Sequence, residues 1–140
     1  MSWTFEISTG RMFAPDGSLA GTGYAGGDCG ERPDAIDNPE CENIPSIGPL
    51  PEGNYTFGEL VLHHPHLGPY CFPLIPDSDN KMYGRGGFWC HADTSIPGHA
   101  SEGCIVQPYR TRVNMYQSLD HRLQVVASLG LTTTMATDGP

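Results

Sequence analysis

The sequence predicts a mostly-β domain of short strands and many turns, with one or two short helices and long loops. Glycine (18) and proline (13) together exceed a fifth of the 140 residues, and good helix formers are sparse. Apolar residues fall in short runs bounded by Gly, Pro, Asn and Asp, the punctuation of strands rather than of long helices. A chain of this length builds one real core. No internal repeat or linker divides it, so residues 1–128 are read as one domain, followed by a small, polar, loose tail over 129–140. The net charge of −9 comes with no Lys/Arg patch. Nucleic acid and anionic membrane surfaces are therefore not expected partners, and no stretch is apolar enough to insert in a bilayer.

The elements follow in order. Trp3 to Ile7 alternates apolar with polar residues and suits a half-buried strand. Thr9-Gly10 and Asp16-Gly17 are turn signals, which make Arg11 to Ala14 the second strand of a hairpin. Gly21 to Asn43 is rich in glycine and acid, poor in apolar residues, and reads as an extended loop. Gly48-Pro-Leu-Pro-Glu-Gly53 is a rigid turn before a strand over Asn54 to His63. After a second turn at Pro65 to Pro69, Tyr70 to Ile75 forms a strand that Pro76-Asp-Ser-Asp-Asn80 ends. Gly84-Arg-Gly-Gly87 leads into a strand over Phe88 to His91. Val113, Tyr116 and Leu119 recur every third residue, which predicts a short amphipathic helix over Tyr109 to Leu119 with Pro108 near its start. Leu123 to Val126 is a final strand.

Five cysteines stand at 29, 41, 71, 90 and 104. Cys29 and Cys41 share the long loop. A disulfide there would remove loop entropy worth about 3 kcal/mol in the chain-entropy model; the alternative is two exposed thiols. Cys71 and Cys90 lie on predicted strands, where a bond is geometrically demanding. Cys104 is the odd one out. Gly103 precedes it, Ser101 stands three before, and His91 lies 13 residues upstream at the end of an apolar strand. An imidazole beside a thiol can take its proton and give a thiolate–imidazolium pair. Asp93, or a backbone carbonyl, can orient the ring. The N–H groups around Gly103 and Cys104 can form an oxyanion hole, and Ser101 can hold the turn or polarise the thiol. The same residues also fit a small buried thiol beside a half-buried imidazole.

Ser101-Glu-Gly-Cys104, with His91 upstream, resembles the catalytic motif of L,D-transpeptidases. The likeness is wider to the small L,D-transpeptidase-like toxins delivered by type VI secretion. It takes in Trp3, Thr9-Gly10, Thr22-Gly-Tyr24, Asn38-Pro39, Gly48-Pro-Leu-Pro-Glu-Gly-Asn-Tyr55 and His66-Leu-Gly-Pro-Tyr70. It continues through Met82-Tyr-Gly-Arg-Gly-Gly-Phe88, His91-Ala-Asp93 and Ala100-Ser-Glu-Gly-Cys-Ile105, so it spans Trp3 to about Arg112. The resemblance implies a compact, β-sandwich-like catalytic domain with Cys104 as nucleophile, His91 as base and no cofactor. It implies action on the tetrapeptide stems of peptidoglycan at the L,D bond before the terminal D-Ala, by L,D-carboxypeptidase or L,D-transpeptidase chemistry with D-amino acid exchange. It further implies an antibacterial toxin with a cognate immunity protein and a type VI carrier protein as partners. Two positions depart from the pattern. Glu102 replaces the histidine that stands two before the cysteine, a role His99 can supply, and Ala92 replaces a glycine.

Arg85 and Arg112 are candidate clamps for a substrate carboxylate, each equally at home as a surface ion-pair residue. Tyr24, Tyr70, Tyr83 and Trp89 are candidate walls of a peptide groove, or core. His63, His64 and His66 invite a metal, but two nearby prolines break the geometry, and no metal is expected. Two rivals remain: a zinc module using Cys90, His91, His99 and Cys104, and a non-catalytic peptidoglycan-binding domain. The N-terminus, Met1 to Ile7, has neither the basic start nor the apolar run of a Sec signal, while four spare cysteines suggest an oxidising destination or else plain cytosolic thiols. Export of a folded protein into the periplasm of a target bacterium reconciles the two.

Overall fold

The computed structural model describes residues 1–129. Its described strands, in chain order, are β1 (Trp3–Glu6), β2 (Arg11–Phe13), β3 (Leu19–Thr22), β4 (Tyr24–Ala25), β5 (Gly53–Phe57) and β6 (Val61–His64). They continue with β7 (Gly68–Pro76), β8 (Trp89–His91), β9 (Ile105–Val106) and β10 (Arg122–Val126), with the helix α1 (Tyr109–Gln117) between the last two. The strands pair in the order β3-β2-β1-β10-β5-β7-β8-β9-β4, and β6 also pairs with β7. The fold is mostly β, an open sheet with short helices.

Local pattern accounts for the first strands. In β1, Trp3 and Phe5 are buried in the core. Glu6 is buried too, its carboxylate accepting from Thr9 Oγ1 at 2.6 Å and from the Leu129 N–H at 2.7 Å. The expected tail over 129–140 otherwise lies outside the described residues. β10 returns parallel to β1, pairing Trp3 with Leu123 and Phe5 with Val125, so two alternating patterns meet on one face.

β7 organises the rest. β5 and β6 run in succession along one of its edges, and β8 takes the other at Phe72 and Pro73. The strand expected over Asn54 to His63 is thus two strands. Between them the Tyr116 hydroxyl donates to the Gly58 carbonyl at 2.8 Å and accepts from the Leu60 N–H at 3.1 Å. A helix side chain there does the work of a ladder, which local sequence cannot announce.

The helix forms where expected but ends at Gln117, and its buried face is shifted from the expected one, keeping Tyr116 packed on Phe57 and Phe72. Thr111, Arg112 and Met115 are buried, while Leu119 lies wholly exposed past the C-cap. Thr111 Oγ1 donates to the Ala20 carbonyl, and Arg112 donates to three carbonyls. Satisfied polar groups outcompeted the apolar period. The long loop over 21–43 is also more ordered than its composition suggests. It holds β4 and three short 3-10 turns, with Ala25 and Ala35 fully buried. Asp37 fastens it, accepting the Ala25 N–H through Oδ1 and donating its own N–H to the Ala25 carbonyl.

Candidate active site

β8 and β9 run parallel, with Cys90 beside Ile105 and His91 beside Val106. Side chains alternate along a strand, and parallel partners share a face. Phe88, Cys90 and Ile105 face the core. Trp89, His91, Cys104 and Val106 therefore take the other face, with the thiol and the imidazole as diagonal neighbours. One step back along the register sets Cys104 level with Trp89, whose N–H donates to Cys104 Sγ at 3.3 Å.

His91 is nearly fully buried, and its Nδ1 lies 2.7 Å from the Ala92 carbonyl. A carbonyl only accepts, so Nδ1 carries the proton and Nε2 is left basic. Of the two expected orienters, the backbone carbonyl holds the ring. The expected catalytic part of Asp93 is corrected accordingly. Its Oδ1 accepts from the Tyr24 hydroxyl and the Thr94 N–H, and its Oδ2 from the Gly98 N–H. Tyr24 in turn accepts the Ala100 N–H. Asp93 thus fastens the loop that carries the chain from His91 to Cys104.

Ser101 holds the turn. Its fully buried hydroxyl donates to the Cys104 carbonyl at 2.6 Å and accepts the N–H groups of Gly26 at 2.9 Å and Gly103 at 3.0 Å. One donor and two acceptor positions are all filled. The Gly103 N–H is consequently engaged and leaves the expected oxyanion hole. Gly103 is nonetheless required. Its φ is +139°, and a Cβ there would stand 2.7 Å from Arg85 Nη2 and from Phe88.

Burial pushes the Cys104 thiol up to about 11, the Trp89 N–H pulls it down, and the Glu102 carboxylate pushes it further up. Burial also holds His91 below the usual imidazole range, against the pull of the Ala92 carbonyl. Both groups are neutral near pH 7. Burial thus favours the neutral thiol and the neutral imidazole over a thiolate–imidazolium pair.

Neither arginine is free to clamp a substrate. Arg85 Nη1 donates to the carbonyls of Glu42 and Pro49, and Nη2 to those of Gly48 and Glu102, at 2.6 to 3.2 Å. It ties the 42–49 loop to the turn before Cys104. Arg112 is buried, donating to the carbonyls of Tyr70, Gln107 and Pro69. His99 is exposed and packs on Gly30, where a Cβ would meet its ring at 2.4 Å. Tyr83 is exposed, with the Lys81 ammonium 5.1 Å above its ring. Neither reaches the thiol's cavity wall, whereas Glu102 does.

The expected disulfides are absent: all five cysteines are free thiols. Cys90 lies opposite Phe72 across β7 and β8, so Cys71, next along β7, takes the face away from Cys90. Cys29 Sγ instead contacts Glu102 Oε2 at 3.8 Å. The zinc alternative meets the same geometry, since Cys90 faces the core while Cys104 and His91 face away. Two cavities flank the pair. One of about 250 Å³ is lined by Cys104, Glu102, Arg85, Phe88 and the glycines 84, 86 and 87. The other, of about 310 Å³, is lined by His91, His64, His66, Asp93 and Thr94. No described helix is long and apolar enough to cross a membrane.

Comparison with known proteins identifies a family for the chain. Residues 29–131 fit the family model of the Tlde1 domain, a type VI secretion effector family. No curated protein and no solved structure matches the chain. The match covers most of the sequence, and the chain belongs to that family.

Proposed function

We propose that this Tlde1-domain chain is a cysteine acyltransferase acting on the stem peptides of peptidoglycan. The observation that carries the reading is the shared face of β8 and the chain entering β9, which puts the Cys104 thiol and an imidazole whose Nε2 is kept basic on one side of the sheet, two positions apart on neighbouring strands. In this mechanism Cys104 Sγ attacks the carbonyl between the L-centre of the third, dibasic residue and the terminal D-Ala. The thiol proton passes to His91 Nε2 as the carbon–sulfur bond forms. His91 then protonates the leaving nitrogen, the C–N bond breaks, D-Ala departs and a thioester remains. Water completes an L,D-carboxypeptidase cycle. A D-amino acid or the amine of another stem completes exchange or cross-linking.

The raised thiol pKa favours deprotonation that accompanies attack over a thiolate formed beforehand. A substrate that displaces water from the face supplies that condition by positioning the carbonyl while the base is neutral. The effector family supports secretion and action in a target cell. The substrate inferred here places that action in the target's periplasm, with an immunity protein covering the Cys104 groove. The test is intact mass spectrometry after incubation with a tetrapeptide muropeptide. An acyl adduct or the loss of D-Ala, abolished in a folded Cys104→Ala protein, is expected. Muropeptide binding with neither adduct nor D-Ala release would make the chain a binding domain instead.

A further inference from the structure

Among the described residues, Arg85 and Arg112 are the two cationic side chains on the walls of the cavities around the catalytic face, and carbonyls hold both guanidiniums. A stem peptide ending in D-Ala carries a terminal carboxylate, which must find other donors. The cavity beside His91 has them. His64 Nδ1 accepts the N–H groups of His66 and Leu67, both at 3.1 Å. A nitrogen that accepts two backbone N–H groups carries no proton, so the ring proton of His64 is on Nε2. The ring is set edge-on to Trp89, with centroids 5.2 Å apart, and Trp89 stands level with the nucleophile. His66 lines the same cavity.

We propose that the 310 Å³ cavity receives the leaving D-amino acid, with the Nε2–H of His64 as the donor to its carboxylate. This rests on the acyl-transfer reading above. The base that takes the thiol proton must return it to the leaving nitrogen, so the leaving group lies on the His91 side of the scissile bond. Its carboxylate is one carbon from that nitrogen, which brings it into the cavity lined by His91, His64 and His66. Asp93, on the same wall, keeps its negative charge while Tyr24, Thr94 and Gly98 donate to it, and its Oδ2, with one donor, has a lone pair left for the ammonium that D-Ala acquires on release. The cavity thus offers both halves of an amino-acid zwitterion. The same site would admit an incoming D-amino acid for exchange.

The variant to make is His64→Asn. The Asn Oδ1 takes the place of Nδ1 as acceptor for the 66–67 turn, while the Nε2–H is removed. Two substrates are compared, a tetrapeptide stem ending in the free acid of D-Ala and the same stem ending in its amide. The wild type is expected to favour the acid by about tenfold in kcat/KM, the order a charge-assisted hydrogen bond supplies. In His64→Asn that preference falls to about one, with the loss in KM. In parallel, the His64 ring protons of the Cys104→Ala protein are followed by NMR during titration with D-alanine and with D-alaninamide. D-alanine alone is expected to shift them. A full acid preference retained by folded His64→Asn, or a His64 resonance unmoved by D-alanine, overturns the site. If the wild type turns over neither peptide while D-alanine still shifts His64, the carboxylate site stands and the acyl-transfer reading falls.

Discussion

Removing the Ser101 hydroxyl should collapse the turn that presents Cys104. In Ser101→Ala, the N–H groups of Gly26 and Gly103 and the carbonyl of Cys104 all lose their partner inside a fully buried site. An orphaned buried polar group costs about 1–3 kcal/mol. Three of them, partly relieved by relaxation, give a loss of roughly 3–5 kcal/mol. For a domain of this size, about 0.3 kcal/mol corresponds to one degree of Tm, so the midpoint should fall by roughly 10–17 °C. The thiol should also lose its setting, because Ser101 holds both the Gly103 N–H and the Cys104 carbonyl. Thermal denaturation followed by circular dichroism measures the first effect, and residue-resolved alkylation of Cys104 below the midpoint measures the second. Ser95→Ala, at an exposed position in the preceding loop, is the control. A Ser101→Ala protein that melts within about 2 °C of the wild type, with unchanged Cys104 reactivity, would refute the reasoning: the three short hydrogen bonds would then hold nothing.

Other outcomes follow from the same geometry. Alkylation of Cys104 by iodoacetamide, read peptide by peptide, should rise about tenfold per pH unit between pH 7 and 10, because its thiol titrates near 11. A plateau below pH 8 would mean a preformed thiolate–imidazolium pair. Arg85→Lys keeps the charge but cannot span four carbonyls. It should lower stability by roughly 2 kcal/mol, whereas a substrate clamp would show raised KM with an unchanged melt.

Much of the framework was legible in the chain. The alternation of Trp3 to Ile7 and of Leu123 to Val126 specifies strands because the side-chain period of a strand is local, and both strands form. The helix after Pro108 was legible for the same reason, though not its buried face. Ser101, Gly103 and Cys104 could be read as a tight turn from residue type alone, since only glycine tolerates the conformation at 103 and only a short hydroxyl fits the hydrogen bonds inside. The pairing of thiol and imidazole in space was an expectation from motif, not from pattern.

What the sequence by itself determined was therefore the mostly-β class, the better-patterned strands and the residue types of the turn before Cys104. Only the tertiary structure decided that β8 and β9 lie parallel in the register that places Cys104 beside Trp89 N–H and diagonal to His91. It alone decided that Arg85 and Arg112 hold carbonyls rather than face a ligand, that Tyr116 splits β5 from β6, and that Cys71 turns away from Cys90. Each of these depends on a hydrogen bond or a strand register between segments far apart in sequence. Local propensity fixes what a segment can become, but the partner of a guanidinium or the face of a thiol is chosen only when distant backbone groups are brought within about 3 Å and must be satisfied.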